Sequence, residues 1–234
     1  MNAISFLPRQ AQVLQHLFGY QTESNIAKVV GPEVDRFTIA ISREEGTPAV
    51  EVAAEVGGRL GWTVYNREIP ACIARELRLS VESVEQIDER GQSWLLDCMQ
   101  AFLSRRELSD SRYFRCLISV IRSLGEQGCG IIIGHGAAHI LPPRCTLRVL
   151  LVGDREDRIT AVSRRSHLDR RAAARELEET SHARRRFIRE HLHTDPTKAR
   201  HYDLVLNTSQ WSPPDCADFI VAALHHKATG HLKS

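Results

Sequence analysis

Five short apolar runs, set apart by amphipathic stretches, constrain the fold of this chain more than any other feature. They are Phe37–Ser42, Trp62–Asn66, Gly130–Gly134, Leu147–Val152 and Tyr202–Asn207. Runs that are apolar at consecutive positions suit parallel strands buried on both faces. After the first run, Thr47 and Pro48 suit an N-cap and a first helical position. Val52, Ala53, Val56 and Leu60 then recur at helical spacing, and Gly61 suits the stop. Asp154 is expected to cap the helix after the fourth run, and Ser212-Pro213 opens the last helix, to about His226. Strands alternating with helices predict an α/β doubly wound domain, a parallel sheet with helices on both faces. Residues 68–127 read as a helical insertion after the second strand, broken near Leu79-Ser80, Gly91 and Ser109-Asp110, with Ser80 and Ser111 as N-caps. Residues 155–192 read as two arginine-dense helices broken near Ser166-His167.

Residues 1–36 precede this alternation and form an N-terminal helical extension, in which Val13, Leu14, Leu17 and Phe18 recur at helical spacing. That stripe is expected to dock on the domain or across a homodimer. The chain has 234 residues, 42% hydrophobic and 26% charged, as expected of one sizeable globular domain. A net charge of +2 gives no ground for wholesale binding to nucleic acid or membrane. No apolar run reaches the roughly 18–20 residues of a membrane span, and the N-terminus lacks a basic-then-apolar signal pattern. The six scattered cysteines, Cys72, Cys98, Cys116, Cys129, Cys145 and Cys216, form no C-x-x-C pair. They read as reduced core thiols, which places the protein in the cytoplasm.

Ligands of such sheets bind beyond the carboxyl ends of the strands. The first strand-to-helix turn, Ser42 to Glu51, offers a helix N-terminus to an anion. It does not match the glycine-rich phosphate loop: it has one glycine, no lysine and a proline that removes a donor, and Glu44 and Glu45 are expected to repel phosphate. The basic cluster is a second candidate. Arg158, Arg164 and Arg165 fall on one helical face, and Arg184, Arg185, Arg186 and Arg189 follow one helix later. Arginine forks match phosphate oxygens and offset developing charge. A solvated face balanced by Glu176, Glu178 and Glu179 is the competing reading. His191 and His193 with Asp195 make a weak metal pattern, and no metal site is expected.

The chain resembles the cytidylate-kinase-like family of P-loop nucleoside monophosphate kinases over about residues 37–226. The resemblance rests on Thr38-Ile-Ala-Ile-Ser-Arg-Glu, Tyr65-Asn-Arg-Glu-Ile, Ile87-Asp-Glu, Ile131-Ile-Ile-Gly-His-Gly-Ala, Glu156-Asp-Arg-Ile and Tyr202-Asp-Leu-Val-Leu-Asn-Thr. It implies a three-layer P-loop kinase-like domain over 37–228, with an acceptor-side helical insertion at about 68–127 and a lid-like segment at about 164–195. It further implies transfer of the ATP γ-phosphoryl group, with Mg²⁺, to CMP, dCMP or a related acceptor. Arg43 and Gly46, Thr47, Pro48, Ala49 and Val50 are then expected at the ATP phosphates. Arg67, Asp88 and His135 are expected on the acceptor side, and Arg158, Arg164, Arg185 and Arg189 as the catalytic arginines. Arg184 or Arg186 would replace the last two if the register shifts by one. The chain departs from the family pattern S-R-E-Y-G-S-G-G-R-E. Glu45 stands at the aromatic position, and Thr47, Pro48, Ala49 and Val50 replace the later glycines and the basic residue. His135 replaces an arginine, and Asn66 an acidic residue. A catalytically inactive, kinase-derived nucleotide-binding or regulatory protein is the alternative.

Overall fold

The computed structural model describes residues 34–66, 69 and 110–230. The expected N-terminal helix, its role in a dimer, Arg67, Asp88 and most of the insertion lie outside the described residues. The described elements are β1 (Thr38–Arg43), α1 (Ala49–Leu60), β2 (Thr63–Tyr65), α2 (Asp110–Gln127), β3 (Gly130–Ile133) and α3 (Ala137–Ile140). They continue with β4 (Thr146–Val152), α4 (Arg155–Ser166), α5 (Arg170–Leu192), β5 (Leu204–Asn207) and α6 (Pro213–Ala228).

The strands form one parallel sheet in the order β2-β3-β1-β4-β5. β1 lies at its centre, with Ile39 opposite Ile131 on one side and Leu147 on the other. The period-two alternation of a strand divides the core between two faces. Ile39 and Ile41 pack with Ile131, Ile133, Val149 and Leu151 under α1 and α6. Ala40, Ile132 and Leu150 pack with Leu117, Ile121 and Leu124 of α2 and with Ala137 of α3. All five apolar runs are therefore strands, each within two residues of its expected bounds; the central ones fill both faces at once, whereas the edge strand β5 buries Leu206 and leaves Val205 exposed.

Helix ends follow local chemistry, with instructive exceptions. Ser212 and Asp215 form a reciprocal capping box at the start of α6. Gly61 closes α1 at φ 68°, a left-handed conformation that glycine adopts without steric cost. His167 closes α4 in the same left-handed region, at the expected break. Pro48, not Thr47, occupies the N-cap position of α1. The Thr47 hydroxyl donates 2.8 Å to the Glu44 carbonyl instead of capping the helix. Asp154 sits at the N-cap position of α4 without a side-chain cap bond, and Ser111 lies inside α2 rather than before it.

α4 and α5 pack on each other through Ile159, Val162, Ala173 and Leu177, a small cluster separate from the two sheet faces. The later part of α5 is tied to the main body, with Phe187 edge-on to Phe114 at 6.1 Å. Among the described cysteines only Cys216 is buried; Cys116, Cys129 and Cys145 are half-buried thiols. No described helix is long and apolar enough to cross a membrane.

Candidate active site

The carboxyl ends of β1, β3 and β4 open into a cleft of about 230 Å³ roofed by α4 and α5. Its floor is Ser42 to Glu45 and Gly134 to Gly136; Arg158, Arg184 and Arg185 enter from the roof. The location follows from topology, since the chain leaves β1 for β2 on one side of it and later passes from β3 to β4 on the other, leaving a crevice where the connections diverge.

The turn after β1 is tight. Glu44 N donates to Leu151 O at 2.9 Å, which fixes the turn to β4. Thr47 N and Ala49 N donate to the turn's own carbonyls, of Glu44 at 3.4 Å and Thr47 at 2.9 Å. Pro48 has no N–H to give. Gly46 stands at φ 87°, and a Cβ there would lie 2.6 Å from the Arg158 carbonyl. The single glycine thus admits α4 against the turn. Gly46, Thr47, Pro48, Ala49 and Val50, expected to cradle phosphate, do not line the cleft. Ala49 is buried in the core and Val50 faces solvent.

The carboxylates expected to repel an anion are instead engaged by arginines. Glu45 is buried, at 4% exposure, and its oxygens lie 2.7 Å from both Arg165 and Arg184. Burial pushes its carboxyl up, but the two guanidiniums outweigh it and hold the pKa at about 2. Arg184 also donates to the Arg43 carbonyl at 3.3 Å. Glu44 accepts from Gly153 N at 3.2 Å and lies 3.5 Å from Arg158. Arg158 is itself fixed by its Nε donating 2.8 Å to Gly153 O.

Arg43 differs from these. Its guanidinium lines the cleft, with no hydrogen bond or ion pair among the described residues. Burial, then repulsion from Arg184, lowers its pKa to about 10, so it stays charged at neutral pH. Arg185 also faces the cleft, its Nε donating 3.2 Å to Ser181 O. Arg164 is exposed and Arg189 lies 3.5 Å from Asp195, both outside the cleft lining. The structure therefore gathers Arg43, Arg158 and Arg185 and adds Arg184, the residue one register away from Arg185.

His135 lines the cleft floor but carries no charge to it. Its Nε2 lies 2.8 Å from the Asn66 carbonyl, so that nitrogen donates. Burial, with Arg43 and Arg184 nearby, pushes the imidazole down to about 3. A protonated His135 contacting phosphate is thus not what the fold holds. His139, also at the cleft, is pushed down to about 4 by burial and by His201. Both groups bind a proton near 6.5 when unfolded and far lower when folded. Stability is therefore full above about pH 7 and falls as pH drops below 6.5, before Glu45 begins to matter below 4.5. Melting temperature measured against pH should decline between 6.5 and 4.5, and His135→Asn should flatten that slope. An equal slope in the variant would remove His135 from this account.

The sequence pattern of the cytidylate kinase-like family matches residues 38–210. A cytidylate kinase of Methanopyrus kandleri is 30% identical over 112 residues, 44% of this chain and 58% of that protein. The chain thus spans less than two thirds of that relative's length. Among solved structures, an uncharacterized protein from Eubacterium ventriosum superposes with a TM-score of 0.59 at 17% identity, over 80% of this chain and 98% of that one. A shikimate kinase from Acinetobacter baumannii gives a TM-score of 0.50 at 14% identity, over 86% and 100% of the two chains. These two likenesses show a shared fold, the shikimate kinase's among them, and the family match covers most of that folded unit. The chain belongs to the cytidylate kinase-like family.

Proposed function

We propose that this protein is a nucleotide kinase that transfers the ATP γ-phosphoryl group to CMP, dCMP or a related nucleoside monophosphate. The observation that carries this reading is the convergence of Arg43, Arg158, Arg184 and Arg185 on one cleft at the carboxyl end of the sheet. Phosphoryl transfer asks the protein mainly for positioning and charge stabilisation. Arg43 and Arg185 have donors open to the cleft, and arginine matches phosphate oxygens in pairs. Arg158, braced by Gly153 and the turn, extends the positive wall.

Mg²⁺ is bound in such reactions through the nucleotide phosphates and one or two carboxylates, and it offsets charge on the transferring group. Glu44 fits that need better than Glu45, because its side chain is 41% exposed whereas Glu45 is committed to two arginines.

A second reading has its own observation. Two of the turn's N–H groups are spent on its own carbonyls and Pro48 has none, which favours a protein that binds nucleotide without transferring phosphate. Steady-state ADP formation separates the two. Purified full-length chain, given ATP, Mg²⁺ and a panel of nucleoside monophosphates, should form ADP only when an acceptor is present. ATP binding without turnover on any acceptor would establish the second reading in its place.

A further inference from the structure

Glu45 is the most deeply placed charge at the cleft, and nothing in a kinase reaction requires a carboxylate there. It touches Arg165 of α4 and Arg184 of α5, both at 2.7 Å, and so links the two roof helices to the turn after β1. The first part of that roof has its own small core, separate from the sheet core. The Arg165 pair ties this part of the roof to the turn beside Arg158, which donates 3.3 Å to the Glu45 carbonyl, and the Arg184 pair ties the later part of α5. A carboxylate that meets two guanidiniums is also in the position of a ligand anion, since phosphate oxygens would use the same forks.

We propose that Glu45 is an internal clasp, a stand-in anion that holds Arg165 and Arg184 against the turn until a polyphosphate exchanges with it. This rests on the reading that the cleft receives nucleotide phosphates, and it adds a closed state to that site. With Glu45 engaged, Arg43 and Arg185 remain the groups that first meet the incoming anion. Exchange then frees Arg165 and Arg184 for phosphate and leaves Glu45 to separate from them. The clasp thus lowers affinity for phosphate by what its breaking costs, a population shift in which only the open state binds fully.

The test uses the full chain and two readouts. Phenylglyoxal labels free guanidiniums, and peptide mass spectrometry reports each arginine. In Glu45→Gln, without ligand, labelling of Arg184 should rise about tenfold, the scale of one lost charge-assisted contact; Arg165, half exposed and also 3.6 Å from Glu176, should rise less, while Arg186 stays unchanged. Inorganic tripolyphosphate should bind Glu45→Gln about tenfold more tightly than wild type by calorimetry, and protect both arginines. Glu178→Gln makes the same charge change on the cleft wall away from these arginines; it should alter tripolyphosphate affinity less than about threefold. If Glu45→Gln does not fold, Glu45→Asp, shorter by one methylene, should show the same directions with smaller changes. Unchanged labelling of Arg184 overturns the clasp and leaves the kinase reading standing. Equal gains in affinity from Glu45→Gln and Glu178→Gln also overturn it, as a mere net-charge effect. Faster labelling with no tripolyphosphate binding in any of these proteins overturns both the exchange and the phosphate site of the kinase reading.

Discussion

Arg184→Met should destabilise the fold by about 3 kcal/mol, because it leaves the buried Glu45 carboxylate with one partner, the exposed Arg165. For a domain of this size that is a fall in melting temperature of roughly 6–12 °C. The cost arises from stranding a charge, not from losing a favourable pair. A carboxylate at 4% exposure has lost its water, and the two guanidiniums are what keep its pKa near 2. Removing both charges should therefore restore much of the loss. In Glu45→Gln/Arg184→Met, about 2 kcal/mol should return, a coupling expected of neighbours in one network. The measurement is a double-mutant cycle by denaturant unfolding. A loss under about 1 kcal/mol in the single variant, or an additive cycle, would show that the network is solvated and weak.

Arg43→Met should reduce acceptor-dependent ADP formation by about 100-fold or more while leaving the fold intact. Its guanidinium makes no hydrogen bond or ion pair with the described residues, so among them its loss strands no bonded partner. It relieves repulsion from Arg184 and Arg165, which offsets the attraction to Glu45 that is lost. A preorganised donor facing developing charge is worth about 2.7–4 kcal/mol. Kinetics under saturating and limiting ATP would show whether the loss falls on KM, as for an anchor of the bound nucleotide, or on kcat, as for a group acting in the transition state. An activity loss below threefold in folded protein would remove Arg43 from the site.

Much of the fold was legible because its signals are local. The apolar run Ile39-Ala40-Ile41 cannot be satisfied by a surface strand, and the register of β1 between β3 and β4 places those residues on both covered faces. The break at Ser166-His167 was likewise readable, and His167 takes the left-handed cap. The site was less legible, for the same physical reason. Which arginine of Arg184, Arg185, Arg186 and Arg189 meets the cleft depends on the rotation of α5 over the sheet, and helical spacing does not fix that rotation. Packing of Phe187 against Phe114 and burial of Ile188 set it, turning Arg184 and Arg185 inward while Arg186 pairs with Glu190 at the surface. The opposite error arose at Glu45. Read in sequence, a carboxylate beside a phosphate loop is a repulsive charge; in three dimensions it meets arginines 120 and 139 positions away along the chain. The surplus of arginine in α4 and α5 was the one signal that such a partner was available.

The most direct test is a calorimetric titration of the full chain with ATP, with and without Mg²⁺, repeated on Arg43→Met. The account predicts saturable heat from the wild-type protein and its loss in the variant, because the proposed phosphate site is made of arginine side chains rather than the turn's N–H groups. No heat from wild-type protein shown to be folded, or undiminished binding in Arg43→Met, would contradict it.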